Sequence, residues 1–350
     1  MELRTVGIVG AEGIGAGIAQ ICVQAGLEVI LVDDTEEILG AAEDRILRGL
    51  QRAEQPGAFS LMRKATRLDK LESCDLAIEC GLEAPQAKQD LLRRMDSRVS
   101  RSCVLAVQTS ALPVAIAARA VENPERVVGV HFFTPPTISK LVEVIRYEHA
   151  SEEAMGTVLD FVSRLGKTAV RCKDTAGFIV NRVSRPMSLC AMRLLERGRG
   201  DPVSIDSALR TAGGFPAGPF QLADFAGLDE DLAVSEILYE LLGRPERLRP
   251  AEIERKLILR GCRGRRDDAG FYAYRERGSA SPNPALADLV EGYGSDPAKP
   301  EEIVQAVREA VTEEARTLTG AGIASEADVE LAMRLGMQWP KGPFAWEERV

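Results

Sequence analysis

His131 and Glu143 stand twelve positions apart in the segment HFFTPPTISKLVE, and the chain holds one other histidine, His149. Between them, Pro135 and Pro136 fix φ and remove two N–H donors, which forbids a continuous helix. The flanking runs VVGVHFF and KLVEVI are short, apolar and rich in β-branched residues, so they predict two strands joined across the PPT turn. His131 then ends one strand and Glu143 lies in the next, facing it. A histidine oriented by a carboxylate is the arrangement of a general base. The residue types alone leave a second reading open, a core histidine capped by a carbonyl beside an unrelated surface glutamate.

A second group with chemical potential is the loop Gly10-Ala11-Glu12-Gly13-Ile14-Gly15. It follows the strand-like TVGIV and precedes an alanine- and isoleucine-rich helix, AGIAQICVQAG. A further strand over residues 27–32 ends in Asp33, about twenty residues past the glycines, which completes a dinucleotide-binding βαβ pattern. Asp33 would take the adenosine ribose hydroxyls. With Asp34 next to it and no arginine adjacent, a 2′-phosphate is repelled, so NAD is favoured over NADP. The pattern asks for glycine at position 12, where backbone and pyrophosphate approach closely, and this chain has Glu12. Either Gly13 takes up a shifted conformation with the Glu12 side chain turned outward, or cofactor affinity is reduced.

Composition narrows the class. The chain has 350 residues, enough for two or three domains, and 45% of them are hydrophobic, enough for a packed core. The net charge of −9 argues against partnership with nucleic acid or a membrane surface, but a few backbone N–H groups suffice to hold an anionic cofactor. The seven cysteines are odd in number, form no CxxC pair and sit largely in apolar runs, the usage of a reducing cytoplasm. They do not cluster with the histidines, so no metal site is expected. No stretch approaches the length of a membrane span, and the opening MELRTVGIVG enters a strand at once, leaving no room for a signal peptide.

In chain order, residues 36–67 read as helical and charged with a break at Pro56-Gly57. Strand-like runs follow at 76–79 and 104–107, separated by a helix beginning near Pro85. Gln108-Thr109-Ser110 sits at a strand end ahead of the helical PVAIAARAV. Hydroxyl residues there line the ligand crevice of open α/β sheets, and they are equally ordinary helix caps. From Asn181 onward the period is helical. The predicted architecture is an α/β Rossmann-type domain over residues 1–184, then an all-α domain over 185–276, with a linker composition at 275–284 (RERGSASPNP). The helical part repeats: IDSALRTAGGFPAGPF recurs as VELAMRLGMQWPKGPF at a constant offset of 124, Phe220 meeting Phe344. Residues 285–350 therefore read as a second, truncated copy.

Taken together, these pieces resemble the 3-hydroxyacyl-CoA dehydrogenase family over nearly the whole chain. The matching segments are the glycine loop with GIAQ, Asp33, DLAIE, QTSAL, HFFTPP…KLVEVI, DTAGFIVNR, GPFQLADFAGLD and AGFYAY. The resemblance implies NAD-dependent oxidation of L-3-hydroxyacyl-CoA to 3-ketoacyl-CoA, or the reverse reduction, within fatty acid metabolism of the β-oxidation kind. It implies His131 as catalytic base, Glu143 as its orienting partner, and Ser110 and Asn181 as hydrogen-bond partners of the substrate oxygen. Gly10, Glu12, Gly13, Ile14, Gly15 and Asp33 would form the NAD site, with Glu83, Lys88 and Gln108 toward the nicotinamide. Gln108 and Thr134 stand where the family usually has asparagine. Single-copy relatives dimerise through the helical domain, so this chain is expected as a homodimer or, because of the repeat, a pseudo-dimeric monomer. Two alternatives remain: a dehydrogenase of the same fold acting on a carrier-bound acyl group or a sugar acid, and a non-catalytic relative whose NAD binding is impaired by Glu12.

Overall fold

In the computed structural model, which describes residues 3–274 and 280–346, the β-branched runs of the N-terminal half are strands and the intervening alanine-rich runs are helices. Their order is β1 (Thr5–Val9), α1 (Gly13–Gln24), β2 (Glu28–Val32), α2 (Glu36–Arg52), β3 (Met62–Ala65), β4 (Leu76–Glu79), α3 (Pro85–Asp96), β5 (Val104–Gln108), α4 (Val114–Ala118), β6 (Val127–Phe132), β7 (Leu141–Arg146), α5 (Glu152–Arg164) and β8 (Thr168–Lys173). They form an eight-stranded sheet ordered β3-β2-β1-β4-β5-β6-β7-β8. Pairing is parallel as far as β6, antiparallel between β6 and β7, and parallel again to β8. Central strands covered on both faces must be apolar throughout, and β5 and β6 are buried at every position. The chain winds outward from β1 in one direction and from β4 in the other. The carboxyl ends of these two strands therefore flank a crevice suited to a ligand.

The contacts divide the chain into two compact units, Met1–Phe178 and Ile179–Val350. This boundary precedes the expected 184/185, because Val183 N already bonds the Ile179 carbonyl and the first helix of the second unit has begun. That unit contains α6 (Val180–Glu196), α7 (Pro202–Thr211), α8 (Pro219–Ala226), α9 (Leu228–Leu241), α10 (Glu252–Leu259), β9 (Tyr272–Tyr274), β10 (Ala280–Pro282), α11 (Ala285–Leu289), α12 (Pro300–Gly320) and α13 (Glu326–Gly336). Within it, α12 packs against α6 and α7, and α13 packs against α6. Carboxylates, one buried and one half-buried, join its helices. Asp206 on α7 accepts from Phe220 N and Gln221 N at the start of α8, and from the Tyr272 hydroxyl. Glu330 on α13 accepts from Gly342 N, Phe344 N and Ala345 N.

Several expectations are corrected. The region 36–67 is not helical throughout: α2 ends at Arg52, and 62–65 form the edge strand β3, whose central Arg63 and Lys64 are exposed. Charged residues blunt a sheet edge in this way. The helix expected over PVAIAARAV is confined to α4. The second unit is not all-α, since β9 and β10 form an antiparallel ribbon. Alternation puts Tyr272 and Tyr274 on one face of that ribbon, with their hydroxyls on Asp206 and Asp224. Of the expected linker 275–284, residues 275–279 lie outside the described residues. The remainder is tied down, with 280–282 in β10 and Asn283 donating to the Gly270 carbonyl.

One glycine in the first βα turn is fixed by space. A Cβ on Gly15 would lie 1.8 Å from the Gly10 carbonyl oxygen, which forces α1 and the turn apart. Gly15→Ala gains about 1 kcal/mol of helix propensity. The overlap, like other overpacking, costs up to about 3 kcal/mol or more. The variant is expected to be net destabilised by about 2 kcal/mol in urea unfolding.

Candidate active site

Antiparallel pairing of β6 and β7 sets His131 directly opposite Glu143. Residues so paired point to the same face of the sheet. His131 Nδ1 lies 2.5 Å from Glu143 Oε2, and the two residues are 4% and 0% exposed. With Nδ1 held by the carboxylate, Nε2 is the nitrogen left for proton exchange. The imidazole packs on Phe133, ring centroids 4.2 Å apart, and near Phe178 at 6.1 Å. The loop joining the strands contains a cis Thr134–Pro135 bond. Lys167 Nζ holds this loop by donating to the Pro136 and Ser139 carbonyls at 2.6 and 2.5 Å. A Cβ on Gly17 would reach Pro136 at 2.9 Å, so α1 lies close against the same loop.

The ends of β4 and β5 carry a buried ion cluster. Lys88 Nζ, 2% exposed, donates to Glu79 Oε2 at 2.9 Å and to the Gln108 carbonyl at 2.6 Å, and lies 3.5 Å from Glu83 Oε2. Glu83 Oε1 accepts from the Thr109 hydroxyl and from the backbone N–H groups of Ser110, Ala111 and Leu112. One carboxylate thus fixes the loop that presents Ser110. Burial pushes both acids toward the neutral form. At Glu83, Lys88 and the four donors outweigh burial and hold the carboxyl below its ordinary range. At Glu79, burial wins over Lys88 and the Gly81 N–H, and the carboxyl is raised. Asp174, in the DTAGF segment, accepts from Val114 N and Ala115 N, and Gly177 N bonds the Ala111 carbonyl. These contacts pin the far side of the Ser110 loop.

At the crevice between β1 and β4 lies a cleft of about 650 Å³, bordered by Gly10, Glu12, Gly13, Asp33, Cys80 and Leu82 among others. Gly10 has φ +104, and a Cβ there would strike the Cys80 carbonyl at 2.6 Å. Glu12 has ordinary extended geometry (φ −78), its side chain is exposed, and it makes no cap bond to α1; Gly13 takes the left-handed φ of +45. The N-terminus of α1 is therefore uncapped by a side chain and is flanked by Gly10 and Gly13, which carry no Cβ, and this fits a dinucleotide pyrophosphate. Asp33 accepts from Ala11 N at 2.7 Å and from Asp34 N at 2.8 Å. A carboxylate with about four lone-pair sites still has capacity for ribose hydroxyls. Cys80 borders this cleft, but burial raises its thiol well above the usual range, so it is not a nucleophile there.

The structure therefore pairs His131 with Glu143, gathers Glu83, Lys88 and the Gln108 backbone, and sets Gly10, Glu12, Gly13 and Asp33 around one cleft. Ser110 and His131 follow one another at the ends of the adjacent parallel strands β5 and β6. Ile14 and Gly15 belong to α1, Gly15 packing under the turn instead of bordering the cleft. The Gln108 side chain accepts from Phe132 N at 2.9 Å, extending the β5–β6 ladder beyond the last backbone pair. Asn181 is in the first turn of α6, in the second unit. Sequence reasoning missed Glu79, Lys167 and Asp174. Glu79 closes the apolar strand LAIE, and an acid at full burial was the signal that a cation must meet it.

A mostly parallel sheet with a nucleotide-sized cleft at its switch point and a buried His–Glu pair across its antiparallel β6–β7 junction, joined to a helical domain, defines a two-domain NAD-dependent dehydrogenase. The family model described as the 3-hydroxyacyl-CoA dehydrogenase NAD binding domain matches residues 5–175, and that described as the C-terminal domain matches 177–274. A probable 3-hydroxybutyryl-CoA dehydrogenase of Deinococcus radiodurans is 34% identical, over 77% of this chain and 99% of its own. A 3-hydroxyadipyl-CoA dehydrogenase of Escherichia coli is 29% identical, over 99% of this chain and 90% of its own. The crystal structure of 3-hydroxybutyryl-CoA dehydrogenase from Escherichia coli K12 superposes with a TM-score of 0.87 at 26% identity, covering 99% of this chain and 91% of that one. The chain belongs to the 3-hydroxyacyl-CoA dehydrogenase family, NAD-dependent oxidoreductases. Among the described residues, no helix is long and apolar enough to cross a membrane.

Lys88→Met leaves Glu79 fully buried without its cation. Removing one partner of a buried pair costs about 3–5 kcal/mol. Urea unfolding of Lys88→Met is expected to register that loss, and adding Glu79→Gln to recover part of it.

Proposed function

We propose that this chain oxidises short-chain L-3-hydroxyacyl-CoA to the 3-ketoacyl-CoA, and runs the reverse reduction, with His131 as the general base. The observation that carries this reading is the buried 2.5 Å contact between His131 Nδ1 and Glu143 Oε2. Glu143 holds the imidazole so that Nε2 takes the 3-hydroxyl proton, and its charge stabilises the imidazolium. Ser110, presented by the Glu83-fixed loop, and Asn181 hold the substrate oxygen, the roles implied by the family resemblance. Gly10, Gly13 and the start of α1 hold the pyrophosphate of NAD and Asp33 its ribose. When bound, NAD supplies the hydride acceptor. Lys88 and Glu83 keep the nicotinamide side ordered. The name of the Escherichia coli relative matched over 99% of this chain adds a second substrate candidate, a 3-hydroxyacyl-CoA ending in a carboxylate. We place the enzyme in the cytoplasm, on its cysteine usage.

Residues 285–350 are, in the same proposal, a second copy of the helical domain that pairs with the first as a dimer partner would. The packing of α12 on α6 and α7 and of α13 on α6 supports this. Helices α7 and α13 begin at equivalent positions, Pro202 and Glu326, and Asp206 and Glu330 are equivalent acids bonding equivalent backbone segments. Phe215 and Trp339, also 124 positions apart, meet ring to ring at 5.2 Å. In a two-fold arrangement only residues on the axis meet their own counterparts. Sedimentation of the intact chain is expected to give a monomer; a tight dimer sinks the pseudo-dimer reading.

Acetoacetyl-CoA reduction by NADH tests the activity. His131→Ala and Glu143→Gln are each expected to lower kcat by about 10²–10⁴-fold. An inactive wild type that also fails to bind NADH overturns the enzyme reading. Glu12→Gly measures the price of the exposed glutamate at the cofactor loop: removing its charge is expected to lower the KM for NADH with kcat unchanged. Equal turnover of 3-hydroxybutyryl-CoA and its carboxylated six-carbon counterpart would remove any preference for either acyl end.

A further inference from the structure

Where α6, α9 and α10 meet, Arg185, Asp231 and Glu254 come together with little exposure, and the reaction described above uses none of them. Arg185 on α6 donates to Asp231 on α9 at 2.7 Å, with side chains 8% and 13% exposed. Glu254 on α10 is 0% exposed and faces Asp231, yet neither of its oxygens meets a donor among the described residues. Ser235, one helical turn beyond Asp231 on α9, is also 0% exposed. Two carboxylates side by side accept hydrogen bonds and donate none, so their contact requires a proton on one of them. Asp231 has the guanidinium. Glu254 is the member left to carry the proton.

We propose that Glu254 is held protonated at neutral pH and donates to Asp231, and that the chain Glu254–Asp231–Arg185 is a positioning device for the start of α6. Arg185 lies four residues after Asn181, hence on the same helix face one turn on. Fixing Arg185 from α9 and α10 fixes the turn that carries Asn181. This part rests on the proposed role of Asn181 in holding the substrate oxygen. Burial, then the charge of Asp231, raises the Glu254 carboxyl to about 9. The other charged groups around α10 are already engaged. Arg255 pairs with Glu236 at 2.6 Å, Glu196 on α6 accepts from Ile253 N, and Asp288 on α11 pairs with Arg260 at 3.5 Å.

The sign of the pH effect follows from the raised value. In the unfolded chain Glu254 ionises near the ordinary carboxylate value, while in the folded chain it keeps its proton to about 9. The folded state therefore binds the extra proton over that window, and the stability tied to it falls as pH rises, fully lost above about 9. Gln cannot ionise and its amide can donate to Asp231. Melting curves from pH 5 to 9.5 on the intact chain are expected to show Glu254→Gln gaining steadily on wild type as pH rises. Glu254→Ala, which removes the donor and leaves a cavity, is expected to melt lower than both throughout.

In NADH-linked assays at pH 7.5, Glu254→Gln is expected to keep wild-type kcat. Glu254→Ala should lose between about 10- and 100-fold in kcat, as a displaced positioning group does. Above pH 9 wild type should lose activity that Glu254→Gln retains. If Glu254→Gln melts as low as Glu254→Ala, or its difference from wild type does not change with pH, the protonated acid is wrong. If the melting results hold and Glu254→Ala keeps full kcat, the positioning role is wrong. An inactive wild type overturns the catalytic reading alone, because the melting experiment still reads the acid.

Discussion

The buried contact between His131 and Glu143 depends on the reversal of one strand. Among the described residues, β6 and β7 make the one antiparallel junction of the eight-stranded sheet, and the register there sets histidine opposite glutamate. A parallel neighbour would have required a crossover of a dozen or more residues. Here the connection is residues 133–140, held from outside by Lys167 and by the close approach of α1. Shifting that register by one residue would turn every side chain of the strand to the opposite face and abolish the pair. His131, the loop that follows it and helix α1 are thus one mechanical assembly.

The second dependency is the placing of charge inside the protein. A buried carboxylate is tolerated when donors surround it, and this chain meets the condition in two ways. Glu83 collects a hydroxyl and three backbone N–H groups besides Lys88, and it stays ionised more readily than a free acid. Glu79, with Lys88 and one backbone N–H, does not fully recover its burial penalty. The same cation serves both, so the number of additional donors decides the difference. That difference has a structural use, because the donors to Glu83 are the backbone of the loop that presents Ser110.

The helical unit repeats this logic with acids as joints. Asp206 and Asp224 each bond two backbone N–H groups of a later segment and one tyrosine hydroxyl of the β9 strand. Burial, the largest influence on each, pushes both carboxyls up to about 6 despite those donors. Glu330 does the same work for residues 342–345, accepting from three backbone N–H groups.

Local pattern determined much of this protein. The glycine turn, its strand and helix, Asp33 and the strands on either side of the prolines follow from sterics and periodicity acting within a few residues, and they could be read directly from the chain. The His131–Glu143 pairing was legible too, because a short connection between two apolar strands leaves few other geometries. What the chain did not disclose was decided by distant partners. Strand β3 is four residues of mixed polarity, and only its place at the sheet edge makes Met62–Ala65 a strand. The ribbon at Tyr272–Tyr274 exists because Asp206 and Asp224, distant in sequence, accept its hydroxyls. The contact of the Gln108 side chain with Phe132 N, just beyond the last backbone pair of β5 and β6, is likewise a product of tertiary structure. The Glu254–Asp231 contact lies in the same category: periodicity marks each residue as helical, and only the packing of α9 on α10 brings two acids together where one must keep its proton.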